Sequence, residues 1–473
     1  MSEEPDVMIG LETHVQLNTN TKLFCGCPNE EAENSNSNVC PICLGHPGSK
    51  PKLNEGVIRR AIKVSEALQL DIEKDFNFSR KTYFYPDMSK NYQITQYELP
   101  VGTDGKLEIK IQDQEKQIGI QRLHIEEDPA KLEHEGGSVD DSEYTLVDYN
   151  RAGTPLLEIV TKPDLRSPEE ARQYLQSLVK VLEYLGIYSS DSDFTIKSDA
   201  NISIQGGERV EVKNITGTKG IQQALSYEIT RQRQLKKRGR EITQQTRSYD
   251  SGQDVTVEMR EKETEADYGY IFDPDLTWQQ ITQKYQKQVK EEIPELPREK
   301  AERFQQEYGL DSKLVESLVR DKEIADTYEE LAQGHDTQLV ASWMTGELRK
   351  VLNYNDINFE NSKITKAKLE YLINLLEDEK ITDRNGEKLL REITVKDIKP
   401  EDYVEENDLL KAEDDEVQQI IREILDENEE AVQDYREGKD EAINYLVGQV
   451  MQKSQGKADP GTARQKIISE IES

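Results

Sequence analysis

The cysteines of this chain lie close together as two pairs, Cys25 with Cys27 and Cys40 with Cys43. Two close pairs separated by a loop suit a tetrahedral zinc ion, because each pair can take two adjacent corners while the loop closes the site. Disulfides are disfavoured in a reducing cytosol, and neither pair belongs to a recognisable nucleophile motif. His46 lies near enough to compete as a ligand, but four thiolates already fill the shell. The spacing therefore favours structural zinc over unliganded thiols.

A second pattern places polar side chains on one face of several predicted strands. In the segment 9–17, Glu12 and His14 alternate with apolar residues, so their side chains share one face. The same pattern recurs in segments that contain Glu127, Glu158, Asp199 and Glu211. For any single strand, a solvent-facing sheet is the commoner explanation. Five such segments together favour a carboxylate-rich groove for Mg²⁺, a hard cation that prefers oxygen ligands, although His14 would be an unusual ligand for it.

The chain combines acids that can hold a metal with basic residues, but it shows no nucleophile motif. The basic residues are Arg80, Lys81, Arg122, Lys131 and Arg151. Neither a P-loop nor a GxSxG elbow occurs, since the nearest candidate for a phosphate loop, residues 217–220, is too short. This combination fits phosphoryl transfer, in which positioning and charge neutralisation do most of the work.

Acidic residues outnumber basic ones by 94 to 61, which gives a formal net charge of −33. Such a charge argues against non-specific binding of polyanions, which depends on Lys and Arg, but it does not exclude a local basic patch. The densest basic run contains Arg231, Arg233, Lys236, Lys237, Arg238 and Arg240. It is either a solvated helix face or a phosphate-contact patch. We interpret the general acidity as adaptation of the surface to a salty cytoplasm.

Residues up to about 293 show alternating strand patterns interrupted by one strong helix, which predicts an α+β domain with a largely antiparallel sheet. That helix has Ser167 as its N-cap, Pro168 at its first position and Glu170 completing a capping box, and it ends at Gly186.

Beyond Pro294 and Pro297 the chain becomes charged, poor in glycine and helix-periodic. This change predicts a helical domain over residues 294–404 and a helical tail domain over residues 405–473. No apolar run of about 18 residues or more occurs, and the first residues are acidic without an apolar segment. We therefore expect a cytoplasmic protein with no membrane partner and no secretory signal.

Several of these segments carry motifs that resemble one family, the B subunits of the tRNA-dependent amidotransferases. The matching blocks occur in family order along nearly the whole chain. They are IGLETHVQL (9–17), TKLFCGC and NVCPICLGHPGSKPKLN (within 21–54), RKTYFYPDMSKNYQITQYELP (80–100), RLHIEEDPAK (122–131), LVDYNRAGTPLLEIVTKPDLRSPEEA (146–171), SDANISI (198–204), RVEVKN (209–214) and QGKADPGTARQKIISEI (455–471).

The resemblance implies a glutamine-synthetase-like catalytic cradle over residues 1–293, with a zinc-binding insertion at about 21–46, followed by the two helical domains. It implies that the side-chain carboxylate of misacylated aspartyl-tRNA(Asn) and/or glutamyl-tRNA(Gln) is phosphorylated by ATP. Ammonia, released from glutamine by a partner amidase (A) subunit, then forms the amide, and a small C subunit completes a heterotrimer. Family members with the cysteine pairs bind zinc there, and magnesium accompanies ATP.

Site roles follow from the matching motifs. The resemblance implies magnesium binding and catalysis at Glu12, His14, Glu127 and Glu158, further magnesium ligands at Asp199 and Glu211, and catalysis at Lys81. Contacts with tRNA are expected from the basic run and the tail, at Arg231, Arg233, Lys236, Lys237 and Lys457.

The chain departs from the family pattern in two places. Lys197 and Ser198 replace an arginine–cysteine pair, and Asp273 stands where glutamate is usual. The chain has no room for the large inserted domain of the related E subunit, so the B type is preferred. Two other functions stay open: a non-catalytic tRNA-binding scaffold in the same assembly, and a free-standing ligase that acts on a small acid.

Overall fold

A computed structural model describes residues 6–112, 114–134, 143–190, 196–259, 269–412 and 414–472. The chain divides into two compact units, Met1–Leu296 and Pro297–Ser473. Across the described ranges, no helix combines the length and the apolarity that crossing a bilayer requires.

In the part of the first unit that the structure describes, there are sixteen strands and four helices. Its strands are β1 (Val7–Gln16), β2 (Asp71–Ile72), β3 (Asp75–Phe76), β4 (Ser79–Thr82), β5 (Tyr92–Thr95), β6 (Gly102–Ile111), β7 (Gln114–Glu127), β8 (Lys131–His134), β9 (Thr145–Asp148), β10 (Pro155–Thr161), β11 (Ile196–Ile204), β12 (Val210–Thr216), β13 (Gln245–Asp250), β14 (Val255–Glu258), β15 (Gly269–Phe272) and β16 (Gln279–Gln280). Its helices are α1 (Glu55–Ala67), α2 (Pro168–Tyr184), α3 (Gly217–Lys237) and α4 (Gln283–Lys290).

A nine-stranded sheet dominates this unit, in the order β14-β13-β12-β11-β1-β10-β7-β6-β2. Neighbouring strands pair antiparallel except β12 and β13, which are parallel. The predicted α+β class with a largely antiparallel sheet is therefore confirmed. In the smaller sheets, β4 pairs with β15 on one side and with β5 on the other, β16 pairs with β3, and β8 pairs with β9.

One face of the large sheet is apolar and closed by helices α2 and α3. On β1, for example, Ile9, Leu11 and Val15 are fully buried, because period-2 alternation sends them all to the same side. Leu178 of α2 packs in the same core, and burying each such side chain stabilises the fold by about 1.5–3 kcal/mol. The opposite face of the sheet carries the polar residues.

Helix α2 begins as its sequence predicts. The Ser167 hydroxyl accepts a hydrogen bond from the Glu170 amide at 3.1 Å, with Pro168 in the first turn. The Glu170 carboxylate bonds the amide of Arg166, one residue earlier than a standard capping box, and also the ammonium of Lys116. This helix is consequently fixed both to its own entry loop and to β7.

The second unit is helical. Its helices are α5 (Pro297–Tyr308), α6 (Ser312–Leu318), α7 (Lys322–Ala332), α8 (Thr337–Trp343), α9 (Arg349–Tyr354), α10 (Lys366–Glu377), α11 (Asp383–Val395), α12 (Pro400–Glu406), α13 (Asp414–Glu427), α14 (Glu429–Arg436), α15 (Glu441–Lys453) and α16 (Pro460–Glu472). A π-helical turn, Met344–Leu348, links α8 to α9. Residues between Phe304 and Leu409 form one core, and residues between Val417 and Ile471 form another.

Candidate active site and cysteine cluster

The register of the large sheet brings distant acids and histidines together on its polar face. His14 of β1 lies opposite Glu158 of β10, and Glu158 in turn lies opposite His124 of β7. On the other side of β1, Glu12 lies opposite Asp199 of β11. Because directly opposed residues point to the same face of a sheet, these side chains meet in one row across four strands.

Two overlapping groups of potential metal ligands result, and both contain Glu158. In the first group, Glu12, His14 and Glu158 place their ligand atoms within 4.8 Å of one another. The Nε2 atom of His14 is 3.6 Å from Glu12 Oε1 and 3.4 Å from Glu158 Oε2. In the second group, His124 and Glu126 join Glu158, with His124 Nε2 3.0 Å from Glu158 Oε2. We call these five residues the acid–histidine cluster.

The two histidines and Glu158 stabilise one another's charges. Burial alone would lower the pKa of His14, but the hydrogen bond to Glu158 and the charges of Glu158, Glu126 and Glu12 raise it to about 10. The pKa of His124 is raised for the same reason. Burial would raise the pKa of Glu158, but the charge of His124 and hydrogen bonds with both histidines hold it well below its usual range. Glu158 is therefore an ionised, buried carboxylate.

At the remaining two acids of the cluster, burial and repulsion outweigh the nearby positive charges. Burial, followed by the charge of Glu158, raises the pKa of Glu12 to about 7. The same two causes raise the pKa of Glu126, while the charges of His14, His124 and Lys81, in that order, act in the opposite direction. Thr95 donates a hydrogen bond to Glu126 at 3.3 Å. A divalent cation would relieve this crowding of buried carboxylates, and its preference for oxygen ligands fits a donor set of three carboxylates.

Glu127, which the family motif implies as a ligand, is not part of the cluster. Its carboxylate pairs with the Lys90 ammonium and accepts a hydrogen bond from the Ile94 amide at 2.8 Å. It also lines a cavity of about 100 Å³ beside Cys25 and Cys43. Its neighbour Glu126 takes the place in the cluster.

The sequence carried a signal for this difference between consecutive acids. Glu126 is two residues from His124, so alternation places both side chains on one face of β7, whereas Glu127 points to the other.

Two other implied ligands, Asp199 and Glu211, lie on the polar face, where both form ion pairs with the same lysine. The Lys213 ammonium is 2.9 Å from Asp199 and 2.8 Å from Glu211. Burial would lower the pKa of Lys213, but these two carboxylates raise it. Both acids therefore lie beside the cluster rather than within it. Lys81 lies on β4, opposite Gln93 of β5.

The four cysteine sulfurs form a compact group in the loop after β1. Those of Cys25, Cys27, Cys40 and Cys43 all lie within 4.8 Å of one another. The sulfurs of Cys40 and Cys43 are 3.9 Å apart, close to the about 3.8 Å that a tetrahedron with metal–sulfur distances of about 2.3 Å requires. The group therefore fits a tetrahedral metal ion.

A buried lysine, Lys22, offsets part of the negative charge of the cysteine group. A hydrogen bond with Cys25 lowers the pKa of Cys43 to about 5, and the charge of Lys22 acts in the same direction. Lys22 is only 1% exposed, and its ammonium donates to the backbone carbonyls of Asn38 and Tyr149 at 2.8 and 3.3 Å. A buried cation thus lies next to the sulfurs that a metal would hold as thiolates.

The basic run on α3 is only partly available to a ligand. Arg231 is bonded to the fully buried Glu228 at 2.7 and 2.9 Å. The Lys236 ammonium donates to the Gln205 carbonyl, whereas Lys237 is exposed. The structure therefore separates a helix-stabilising arginine from an exposed lysine in the same run. Arg233 lies between them and is half-buried.

Lys457, the tail residue expected to contact tRNA, forms an internal ion pair with Asp408, and its side chain is 15% exposed. Next to it, the Gly456 carbonyl accepts a hydrogen bond from Thr382 at 2.7 Å. Gly456 has a φ of +84°, and a Cβ there would lie 3.2 Å from both Arg384 and Asn385. The loop that holds Lys457 is therefore packed against the start of α11.

The structure shows the contacts of Asp273 and the position of Lys197, two residues that depart from the family pattern. Asp273 is buried and accepts a 2.8 Å hydrogen bond from Arg80, which also reaches Asp275 at 3.1 Å. The shorter acid therefore still binds an arginine of β4. Lys197 lies opposite His14 on the polar face and is exposed.

Comparison with known proteins gives matches to both units. Residues 7–287 match the family model described as the GatB/GatE catalytic domain, and residues 326–471 match that of the GatB domain. Relatives named as the B subunit of aspartyl/glutamyl-tRNA(Asn/Gln) amidotransferase are similar over nearly their full length. The one from Natronomonas pharaonis is 44% identical, covering 98% of this chain and 97% of the relative. The one from Methanococcoides burtonii is 41% identical, covering 100% and 99%.

Proposed function

The chain belongs to the GatB/GatE family, whose catalytic-domain model it matches over residues 7–287, and we propose that it amidates aminoacyl-tRNA for translation. Its substrates are aspartyl-tRNA(Asn), glutamyl-tRNA(Gln) or both, as the names of its relatives indicate. The acid–histidine cluster carries this proposal, because a scaffold that only binds tRNA has no use for three carboxylates brought together against their own repulsion.

The reaction needs two steps because hydroxide is a poor leaving group. In the first step, a side-chain carboxylate oxygen of the aminoacyl group bonds to the γ-phosphorus of ATP, and the bond to the β-phosphate oxygen breaks to release ADP. In the second, ammonia bonds to the carbonyl carbon, the phosphate leaves with the C–O electron pair, and the nitrogen loses one proton. Both steps depend on binding and charge placement rather than on a protein nucleophile.

Glu12, Glu126 and Glu158 are the oxygen ligands for magnesium in this proposal, with His14 and His124 around Glu158. When bound, the ion supplies positive charge to the phosphate oxygens. The histidines hold the Glu158 carboxylate in one orientation from two sides, at 3.4 and 3.0 Å. Asp199 and Glu211 hold Lys213 beside the cluster, where its ammonium adds to the positive charge available to an anionic substrate. Lys81 contributes in the same way next to Glu126.

Zinc is the metal proposed for the cysteine cluster, in a structural role. Four thiolates leave no open coordination position for a substrate, which is the mark of a structural rather than a catalytic site. The ion would join the two ends of the loop at about 21–46. The buried Lys22 ammonium would offset part of the negative charge of a zinc ion with four thiolates.

The remaining proposals concern organisation and partners. The relatives are named as subunits, and the proposed partners are an amidase (A) subunit that supplies ammonia and a small C subunit. The proposed domains are the cradle over 1–293, a helical domain over 294–404 and a tRNA-binding tail over 405–473. The enzyme acts in the cytoplasm, where aminoacyl-tRNA is used. On the basic run, Lys237 is the exposed tRNA contact, while Arg231 stabilises the fold.

An assay of the assembled enzyme tests the proposed function. The chain, produced with its A and C partners, is given misacylated aspartyl-tRNA, ATP, Mg²⁺ and glutamine, and the amino acid on the tRNA is analysed. Formation of asparaginyl-tRNA that requires both ATP and this chain supports the proposal. A free-standing ligase would instead turn over ATP with a small acid and no tRNA.

A further inference from the structure

Arg122 is a cation beside the acid–histidine cluster for which the described residues offer no hydrogen-bond partner. It lies on β7, two residues from His124 and four from Glu126, so all three side chains share the polar face. Its Nη2 atom is 3.9 Å from Glu158 Oε1, beyond hydrogen-bonding distance, and its buried Nε has no hydrogen-bond partner. The side chain is 36% exposed, so the guanidinium is reachable from solvent on the polar face of the sheet.

Two other arginines of the same unit, Arg80 and Arg151, differ from Arg122 in that protein groups accept their hydrogen bonds. Arg80 bonds the carboxylates of Asp273 and Asp275 at 2.8 and 3.1 Å. Arg151 donates to the backbone carbonyls of Pro129 and Ala130 at 3.0 and 2.9 Å. Each of these side chains is held in place by the protein itself. Arg122 keeps its hydrogen-bond donors available although it lies next to a carboxylate.

From this arrangement we infer that Arg122 binds the γ-phosphate of ATP. A guanidinium presents its donors as a planar fork, which matches the oxygens of a phosphate and forms charge-assisted hydrogen bonds with them. Without a bound cation, the three carboxylates of the cluster would repel a phosphate, and Arg122 adds a fixed positive charge at the edge of the cluster that would attract one. The inference rests on the proposed function, since it assigns a residue to the nucleotide of that reaction.

The charge on Arg122 has a role in transfer as well as in binding. As the bond between the γ-phosphorus and the β-phosphate oxygen breaks, negative charge stays on the three outer oxygens of the γ-phosphoryl group. A guanidinium that already contacts those oxygens needs no reorganisation at that moment. The Oε2 atom of Glu158 is engaged by both histidines, and its Oε1 atom lies 3.9 Å from Arg122 Nη2.

The test measures nucleotide binding without turnover. The affinities of a non-hydrolysable ATP analogue and of ADP for the assembled enzyme are measured with Mg²⁺ by calorimetry, for the wild type, Arg122→Gln and Arg122→Lys. The control is Arg172→Gln, because Arg172 of α2 also has a buried Nε without a partner and bonds Gln222 at 3.1 Å. Melting temperatures check that the variants are folded.

Arg122→Gln is expected to weaken binding of the ATP analogue by about 10- to 100-fold while ADP binding changes by less than about threefold. The lysine variant, which keeps the charge but loses the fork, should fall between, and Arg172→Gln should match the wild type. An unchanged preference for the ATP analogue in Arg122→Gln would overturn the inference, as would equal weakening of both nucleotides. If Arg122→Gln does not fold, full retention of the preference in Arg122→Lys overturns it. A wild-type enzyme that binds neither nucleotide would instead refute ATP use, and with it the proposed function.

Discussion

Glu158 lies between two histidines, with His14 opposite it on one neighbouring strand and His124 opposite it on the other. The result is a buried carboxylate that is ionised, a His14 imidazole that is charged near neutral pH, and a His124 imidazole whose pKa is raised. His14 is more than a hundred residues from His124 and Glu158 in the sequence. The three side chains nevertheless act as one unit, because antiparallel pairing aligns them on a single face of the sheet.

Replacing Glu158 with Gln should lower the pKa of both histidines. With the largest of its carboxylate partners removed, burial opposes only the charges of Glu126 and Glu12, so the pKa of His14 should fall clearly below about 10. Titration of the chain's five histidines by NMR in metal-free protein would follow this. A His14 that still titrates near its wild-type pH in the variant would show that Glu158 is not the cause.

The two consecutive acids of β7 should behave differently when each is replaced by its amide. Glu126→Gln removes a cluster carboxylate, so Mg²⁺ affinity should fall by about tenfold or more. Glu127→Gln breaks the pair with Lys90 but leaves the cluster intact, so Mg²⁺ affinity should stay within about twofold of the wild type. Calorimetric titration of both variants decides the matter, and the reverse order of effects would mean that Glu127 is the ligand.

Magnesium should bind more weakly in acid. Since Glu12 has a pKa of about 7 in the metal-free protein, a proton must be displaced at pH 6 but hardly at pH 8, which costs about tenfold in affinity. Because this pKa is raised, the contribution of Glu12 to the stability of the metal-free protein is lost as pH rises through 7. Added Mg²⁺ should therefore raise the melting temperature more at pH 8 than at pH 6. A Glu12→Gln variant should lose most of this pH dependence, and its persistence there would assign it to another group.

Metal analysis of protein purified without chelator should find one zinc per chain at the cysteine cluster. Cys43→Ser should reduce that content and lower the melting temperature, because the loop loses the ion that joins its two ends. Ser37→Ala, at an exposed position of the same loop, serves as the control. Absence of zinc together with four freely titratable thiols in the native wild type would contradict the proposal.

Substitutions in the basic run on α3 should affect two different properties, the stability of the fold and the binding of tRNA. Arg231→Gln removes two charge-assisted hydrogen bonds from the buried Glu228, so the free energy of unfolding should fall by about 2 kcal/mol. Lys237→Gln touches no described partner and should change stability by less than about 0.5 kcal/mol, while weakening tRNA binding in a salt-dependent manner. Chemical denaturation measures the free energy of unfolding of each variant, and filter binding at two salt concentrations measures its affinity for tRNA. Normal tRNA affinity in Lys237→Gln would remove this helix from the interface.

Local patterns predicted much of the fold and part of the site. Alternation identified β1 and β11, the N-cap at Ser167 located α2, and the spacing of the cysteines predicted their cluster. Glu228 lies three residues before Arg231 on α3, so local spacing predicts that pair, but neither the burial of Glu228 nor the partner of Lys457 could be predicted in this way. The burial of Glu228 depends on Thr256 and Arg247, which pack from other elements, and Asp408 lies 49 residues before Lys457. The burial of Glu228 and the pairing of Lys457 are determined by tertiary packing, on which local sequence gives no information.

Transfer of labelled phosphate from γ-labelled ATP to misacylated aspartyl-tRNA tests the central claim most directly. The assembled enzyme is used without glutamine or ammonia, so that the phosphorylated intermediate is not consumed. The wild type should form labelled aminoacyl-tRNA, and Glu158→Gln should form it at least about 100-fold more slowly while binding tRNA with normal affinity. Label that appears at the wild-type rate in Glu158→Gln, or ATP hydrolysis that does not depend on aminoacyl-tRNA, would contradict the account.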